Sequence, residues 1–165
     1  MIGVDAPIER LRLLFVGNLW SGKNNSFNGR CFRNEQDGKL IPEIKITGND
    51  YEEVLLQDFN DSTVFFDVEP TRESNGKDNL KANINIYFAV DLSKLYPSLD
   101  RNEATETAYR DVIDQINIGG FNFTSLSTGF ESYDTWNYDE SAEDNMSSYH
   151  LFRINTTIDY NLNCI

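Results

Sequence analysis

The chain contains little cysteine and histidine. Its 165 residues include two cysteines and one histidine. Cys31 and Cys164 lie near opposite ends without a metal-binding spacing, and a secreted disulfide scaffold would contain many more cysteines. We therefore expect two free thiols in a reducing cell. No second histidine or paired cysteine is present to build a metal site, and we expect no cofactor.

Long apolar runs and basic residues are also scarce. No 18 uncharged apolar residues occur in a row, and the N-terminal MIGVDAPIER lacks an apolar stretch of signal-peptide length. We expect a soluble protein that is not exported and has no membrane partner. There are 14 Lys and Arg against 27 Asp and Glu, and the resulting net charge of -13 repels phosphate backbones. Sequence-specific nucleic-acid binding is therefore disfavoured.

The length favours one domain spanning residues 1–165. A chain of this size buries roughly 70% of the surface that it exposes when unfolded. Such a core needs no disulfide or metal to stabilise it, so we expect the chain to fold alone.

The clearest pattern lies in the C-terminal residues 149–164. Apolar and polar residues alternate there with a period of two, which predicts one long antiparallel strand with a buried face and a solvent face. The buried side comprises Phe152, Ile154, Ile158, Tyr160 and Leu162, and the solvent side comprises Arg153, Asn155, Thr157, Asp159 and Asn161.

Two segments have helical spacing. Residues 7–20 place apolar side chains one turn apart, with Pro7 in the first turn, where its missing N–H costs nothing. Residues 101–116 follow Asp100, which forms a plausible capping box with Glu103. Their predicted buried stripe is Thr105, Tyr109, Val112 and Ile116, adjoined by Ala104 and Ala108.

The remaining segments predict strands and loops. Residues 63–68 and 80–90 flank an Asn75-Gly76 turn and form a long hairpin. Further strands are expected at residues 40–46, 51–57 and 121–128. Residues 21–38 are expected to be a loop, with a short strand near 27–32, and residues 131–144 an acidic loop. The predicted fold is α+β, with a mainly antiparallel sheet packed by the two helices.

One motif suggests nucleotide binding. Residues 17–24, GNLWSGKN, match the phosphate-binding pattern G-x-x-x-x-G-K-[ST] at all but the last position. In this alternative Lys23 would contact the phosphates. Asn24 replaces the hydroxyl that coordinates Mg²⁺, and the following NNSFNGRCF is a poor helix. The competing interpretation is a helix end and a turned loop.

Two further sites have a structural and a chemical interpretation. His150 is in register with Phe152 and Ile154, so a packing role is favoured over catalysis. Tyr133, Trp136 and Tyr138 lie among acids and would suit a carbohydrate-binding, β-rich module. The competing interpretation is an acidic, solvated loop whose aromatic residues contact a neighbouring protein.

The order of elements resembles that of tail-completion and tail-terminator connector proteins of tailed bacteriophages. The similarity is carried by residues 88–96, 101–112 and 149–164, within INIYFAVDLSKLYP, RNEATETAYRDVIDQI and YHLFRINTTIDYNLNC. Within this class, the chain resembles the virion neck or tail ring proteins of crAss-like phages that infect Bacteroides.

The resemblance implies a non-enzymatic virion protein, assembled in the host bacterial cytoplasm. It implies a homo-oligomeric ring of six or twelve copies that contacts portal, adjacent ring and tail proteins, while DNA passes non-specifically through its lumen. An acidic wall suits that role because it repels a polyanion. The expected interface residues are Trp20, Phe27, Trp136 and Tyr138. The expected channel-lining acids are Asp139, Glu140, Glu143 and Asp144.

Overall fold

The fold was obtained as a computed structural model that describes residues 1–163. These residues form an α+β fold with mainly antiparallel sheets, as the sequence predicts. The helices are α1 (Asp5–Asn18), α2 (Leu92–Leu95), α3 (Arg101–Ile118) and α4 (Glu140–Met146), and the strands are β1 (Asn25–Arg30), β2 (Phe32–Gln36), β3 (Lys39–Thr47), β4 (Asp50–Glu53), β5 (Ser62–Ser74), β6 (Asn79–Val90), β7 (Asn122–Thr128) and β8 (His150–Asn161).

Five strands form the main sheet, in the order β1-β5-β6-β8-β7. Only β1 and β5 are parallel. The predicted C-terminal strand is confirmed as β8, which pairs with β6 over its whole length, from Asn79↔Asn161 to Val90↔His150. Leu162 follows the end of the strand and is 48% exposed, and Cys164 lies outside the described residues.

One face of the main sheet packs on α1 and α3. Alternate residues of β5, β6 and β8 point to this face: Phe66 and Phe88 contact Phe15 of α1, and Phe152 contacts Tyr109 of α3. The Phe88 and Phe152 rings stack at 4.5 Å between centroids. On α3 the buried stripe is Ala104, Ala108, Val112 and Ile116. The predicted members Thr105 and Tyr109 lie beside that stripe and are only partly buried, because the small alanines allow the helix to approach the sheet closely.

The opposite face of the main sheet packs on a second layer, which contains a three-stranded antiparallel sheet in the order β2-β3-β4. Tyr87 of β6 lies at its centre. Its ring is 4.9 Å from that of Phe65 and 5.0 Å from that of Tyr133. Cys31 separates β1 from β2, so one short stretch of chain connects the two sheets.

The predicted hairpin is formed by β5 and β6. At the turn, Gly76 has a φ of 95° and Asp78 a φ of 61°. Between the pairs Val68↔Ile84 and Arg72↔Ala82, β5 advances by four residues and β6 by two, which makes a bulge. Pro70 lies in this bulge, where no ladder hydrogen bond is required of it. Because β8 pairs with β6 as far as Asn79, the tip is three-stranded.

Several predicted boundaries and elements were wrong. The predicted helix at residues 7–20 runs from Asp5 to Asn18. The predicted strand at residues 51–57 ends at Glu53 and continues as the 3-10 turn Val54–Leu56, which buries Val54 and Leu55. The expected loop at residues 21–38 contains two strands, and the acidic loop contains α4. The short strand expected near residues 27–32 corresponds to β1, whereas β2 and α4 were missed because their sequences are polar and lack apolar periodicity.

Candidate functional site

A cleft of about 790 Å³ lies between α1, the β1–β2 junction, β3, β4 and the bulge of β5. We call it the cationic cleft. Two acids line it, Asp5 and Glu9. Five basic residues line it as well: Arg12, Arg30, Arg33, Lys45 and Arg72. An acidic chain therefore has one concave surface with an excess of positive charge.

On the α1 wall of the cleft, Arg12 and Glu9 are neighbours because they lie one helical turn apart. Nε of Arg12 donates to Oε2 of Glu9 at 2.7 Å, and Nη2 donates to Oε1 at 2.5 Å. These hydrogen bonds lower the pKa of Glu9 and raise the pKa of Arg12. Nη1 of Arg12 also reaches the backbone oxygen of Phe27, at 3.4 Å. Arg12 is therefore fixed in place and partly neutralised.

The floor of the cleft contains a second ion pair. Arg33 of β2 donates to both carboxylate oxygens of Asp67, and its guanidinium carbon lies 5.7 Å from the Trp136 ring centroid. The hydrogen bond to Asp67 raises the pKa of Arg33. Next to this pair, burial raises the pKa of the free Cys31 thiol, and the charge of Asp67 raises it further. This thiol is therefore not a nucleophile in the folded protein.

The remaining cations of the cleft are less neutralised. Arg30 lies 3.5 Å from a carboxylate oxygen of Asp5, and both side chains are more than 40% exposed. Arg72 donates to Oη of Tyr160 at 3.2 Å and to the backbone oxygen of Glu69. Among residues 1–163, no ion pair engages Lys45 or Arg72. Their charges are available to an anionic partner.

Two exposed aromatic residues lie at the rim of the cleft. Phe32 of β2 and Tyr51 of β4 are 55% and 45% exposed, with ring centroids 5.9 Å apart. Exposed aromatic rings next to arginine are typical of protein-binding surfaces. The composition of the cleft therefore favours a protein partner that carries negative charge.

The predicted channel-lining acids lie together on one element, residues 139–144, which we call the acidic segment. All four side chains are exposed, and none forms an ion pair within residues 1–163: Asp139, Glu140, Glu143 and Asp144. Asp139 is the N-cap of α4 and accepts a hydrogen bond from the Ala142 N–H at 3.0 Å. Asp139 also affects the neighbouring Glu53. Burial raises the pKa of Glu53, and the negative charges of Asp139 and Glu43 raise it further.

The four predicted interface residues do not form one surface. Trp20 is 8% exposed, donates from Nε1 to Oη of Tyr96 at 2.7 Å, and stacks on the partly buried Phe27. Trp136 is 3% exposed, in the core on the other side of the main sheet. Both indoles are thus buried within the subunit, but only that of Trp20 has a hydrogen-bond partner among residues 1–163, since Nε1 of Trp136 has none. Tyr138 keeps a partly exposed ring, 6.4 Å from that of Phe130.

The aromatic residues of the carbohydrate alternative are largely buried. Tyr133 is fully buried and Trp136 is 3% exposed, so neither ring offers a face to a sugar. They pack on Phe65 and Tyr87 of the main sheet instead. Only Tyr138 of the predicted set keeps partial exposure.

The glycine-containing segment at residues 17–24 joins α1 to β1. A phosphate-binding loop follows a strand and leads into a helix, whose first N–H groups hold the phosphate. Here the preceding element is a helix that ends at Asn18, with its carbonyl end towards the loop. Gly22, at a φ of 76°, turns the chain into the next strand. This geometry is that of a helix end and a turned loop.

His150, the first residue of β8, packs against α3. Its Nε2 atom is 2.7 Å from Oη of Tyr109, and Phe152 lies on the same face. Burial lowers the pKa of His150, and the charge of Arg101 lowers it further. The imidazole is therefore neutral at pH 7 and has a hydrogen-bond partner, as expected for a packing residue.

Nothing local in the sequence indicates the cationic cleft. Its basic residues are spread from position 12 to position 72 and come from five different strands and helices. The only local signal was in β3, where Lys45 lies between the apolar Ile44 and Ile46. Within residues 1–163, no three His, Cys, Asp or Glu side chains are grouped to hold a metal ion. No helix in this part of the chain has the length and apolar character needed to cross a bilayer.

No protein-family model matches the chain, and no curated protein is significantly similar to it.

Proposed function

We propose that the chain is a structural protein of a tailed-phage virion, which forms a closed ring in the neck or tail. The ring joins portal and tail proteins, and DNA passes through its lumen. The chain acts by assembly and has no catalytic role.

The observation that carries the proposal is the uncovered edge of the main sheet. β7 is an edge strand that pairs only with β8, and its residues 122–125 are exposed, including Phe123 at 40%. Natural edge strands are usually protected from pairing by charge, proline or a bulge. The sequence of β7, NFTSLST, contains no charge and no proline, and after a bulge-type register shift between Phe123 and Ser125 the strand is regular from Ser125 to Thr128. Such an edge is suited to pairing with another chain.

The opposite edge of the same sheet supports assembly with a defined direction. β1 pairs with β5 only as far as Phe66, so the distal part of β5 has no strand on its outer side. A sheet with different free edges at its two ends can associate head to tail. Such contacts generate a ring when the rotation between copies closes.

The charge of the surface supports the passage of DNA. The whole chain has a net charge of -13. A wall of negative charge repels the phosphate backbone, so a duplex is not retained by it.

Negative-stain images of the purified chain, taken over a series of protein concentrations, test the proposal. We expect closed rings with a central opening. Particles with no opening, or single subunits at every concentration, would contradict it. The variant Phe123→Lys places a cation on the edge strand and should reduce the number of rings. Asn102→Lys adds the same charge on the exposed surface of α3 and is the matched control.

A further inference from the structure

We propose that the acidic segment of one copy docks into the cationic cleft of the next copy. This inference rests on the proposed ring and identifies a contact between its subunits. It assigns an occupant to the cleft: a second copy of this chain, presenting residues 139–144.

Charge favours this contact. Two chains with a net charge of -13 repel each other, so association requires a local surface of opposite sign. The cleft holds five of the 14 basic residues of the chain, of which Arg12, Arg30 and Arg33 pair with Glu9, Asp5 and Asp67. Lys45 and Arg72 have no ion-pair partner within residues 1–163. The cleft is therefore a surface on which a second acidic copy meets attraction.

The acidic segment is a suitable occupant of the cleft. The acidic segment presents four exposed carboxylates without ion-pair partners in the described part of the chain, and three of them belong to the short helix α4. Next to it, Tyr138 and Phe130 retain exposed ring surface. At the rim of the cleft, Phe32 and Tyr51 likewise have exposed ring surface. Charge and aromatic surface are thus complementary between the two sites.

The two contact surfaces are different parts of the same chain. The cleft and the acidic segment share no residue and lie on different elements. A contact between two different surfaces of identical chains is heterologous, and it repeats from copy to copy. This is the contact type that a ring of identical subunits requires.

A charge-exchange experiment tests the inference. The cleft variant carries Arg30→Glu and Lys45→Glu, and the segment variant carries Glu140→Lys and Glu143→Lys. All four side chains are exposed, so the fold should tolerate the changes. Each variant alone presents two like-charged surfaces, and we expect its association to weaken on the order of 100-fold. An equimolar mixture pairs each reversed surface with its complement and should restore rings of even subunit number.

The control variant carries Arg10→Glu and Lys39→Glu. These are exposed basic residues outside the cleft, and their reversal changes the net charge from -13 to -17, as in the cleft variant. It should assemble at a concentration close to that of the unaltered protein. Analytical ultracentrifugation measures association, and circular dichroism melts show whether each variant is folded. The neutral pair Arg30→Gln and Lys45→Gln gives a milder version of the cleft variant and should lose less association.

The outcomes separate the two proposals. If the unaltered chain never assembles, the proposed ring fails, and this inference fails with it. If the unaltered chain forms rings and both reversed variants form them equally well, the docking inference alone is wrong. If the two variants lose assembly and their mixture does not regain it, the cleft binds another anion, and the inference is likewise overturned.

Discussion

Asp67 accepts two hydrogen bonds from the guanidinium of Arg33, from Nε to Oδ1 and from Nη2 to Oδ2, each at 2.7 Å. Asp67 belongs to β5 of the main sheet and is fully buried, whereas Arg33 belongs to β2 of the small sheet. The pair therefore connects the two sheets and forms the floor of the cationic cleft. It also positions the small sheet, from which Phe32 of the edge strand β2 and Lys45 of the central strand β3 line the cleft.

The first prediction concerns this pair. Arg33→Met leaves a buried carboxylate without its partner, and we expect the free energy of unfolding to fall by about 3 kcal/mol. The double variant Arg33→Met, Asp67→Leu removes both charges and should recover most of that loss. Urea unfolding measures the free energy of unfolding of both variants. A double variant that is as unstable as the single one would show that the pair is not the cause.

The second prediction concerns His150. Its pKa is lowered in the folded state by burial and by Arg101, so the unfolded chain binds a proton at higher pH than the folded chain. This residue's contribution to stability is thus complete above the unfolded pKa of about 6.5 and is lost as the pH falls towards the folded pKa. Because the chain has one histidine, its imidazole resonances can be titrated by NMR without overlap. We expect a midpoint below 6.5.

Variants test the contribution of His150 to the pH dependence of stability. His150→Gln should flatten the dependence of the unfolding free energy on pH between about pH 7 and pH 5.5, where few other side chains titrate. Tyr109→Phe removes the hydrogen bond to Nε2 but leaves the burial. A folded-state midpoint above 6.5 would contradict the prediction.

The third prediction concerns Cys31. Burial raises its pKa, so the reactive thiolate is scarce and the sulfur is inaccessible in the folded protein. In a Cys164→Ser background, a thiol-specific reagent such as DTNB should label no site in buffer. It should label one site per chain in guanidinium chloride. Rapid labelling of the folded protein would mean that the β1–β2 junction opens readily.

The fourth prediction concerns the edge strand β7. Phe123→Lys should leave the thermal unfolding temperature within a few degrees of the unaltered value, because the ring is 40% exposed. It should at the same time weaken self-association, since a charged edge resists strand pairing. Differential scanning calorimetry and light scattering measure the two effects. Unchanged association would exclude β7 from the assembly contact.

Much of the fold follows from periodicity. The alternation from Phe152 to Ile158 defines β8 because one face of that strand is buried. Asp100 defines the start of α3, and its side chain accepts from the Glu103 N–H at 3.0 Å. In both elements a local pattern is sufficient, since the core lies on one side and water on the other.

Other parts depend on contacts distant in sequence. β2, with the sequence FRNEQ, has no apolar alternation, and Arg33 is placed there by Asp67, which lies 34 residues away. The burial of Trp20 and Trp136 likewise depends on where α1 and the second layer pack. The cationic cleft is assembled only by tertiary structure. The sequence therefore predicts the elements better than it predicts the surfaces between them.

The mass of the assembled particle, measured by native mass spectrometry, tests the proposed ring most directly. Copies of the 19.0 kDa chain should give one dominant species, at about 114 kDa for six copies or about 228 kDa for twelve. A single peak at 19.0 kDa across the whole range of protein concentration, or a ladder of sizes without a closed species, would contradict the account.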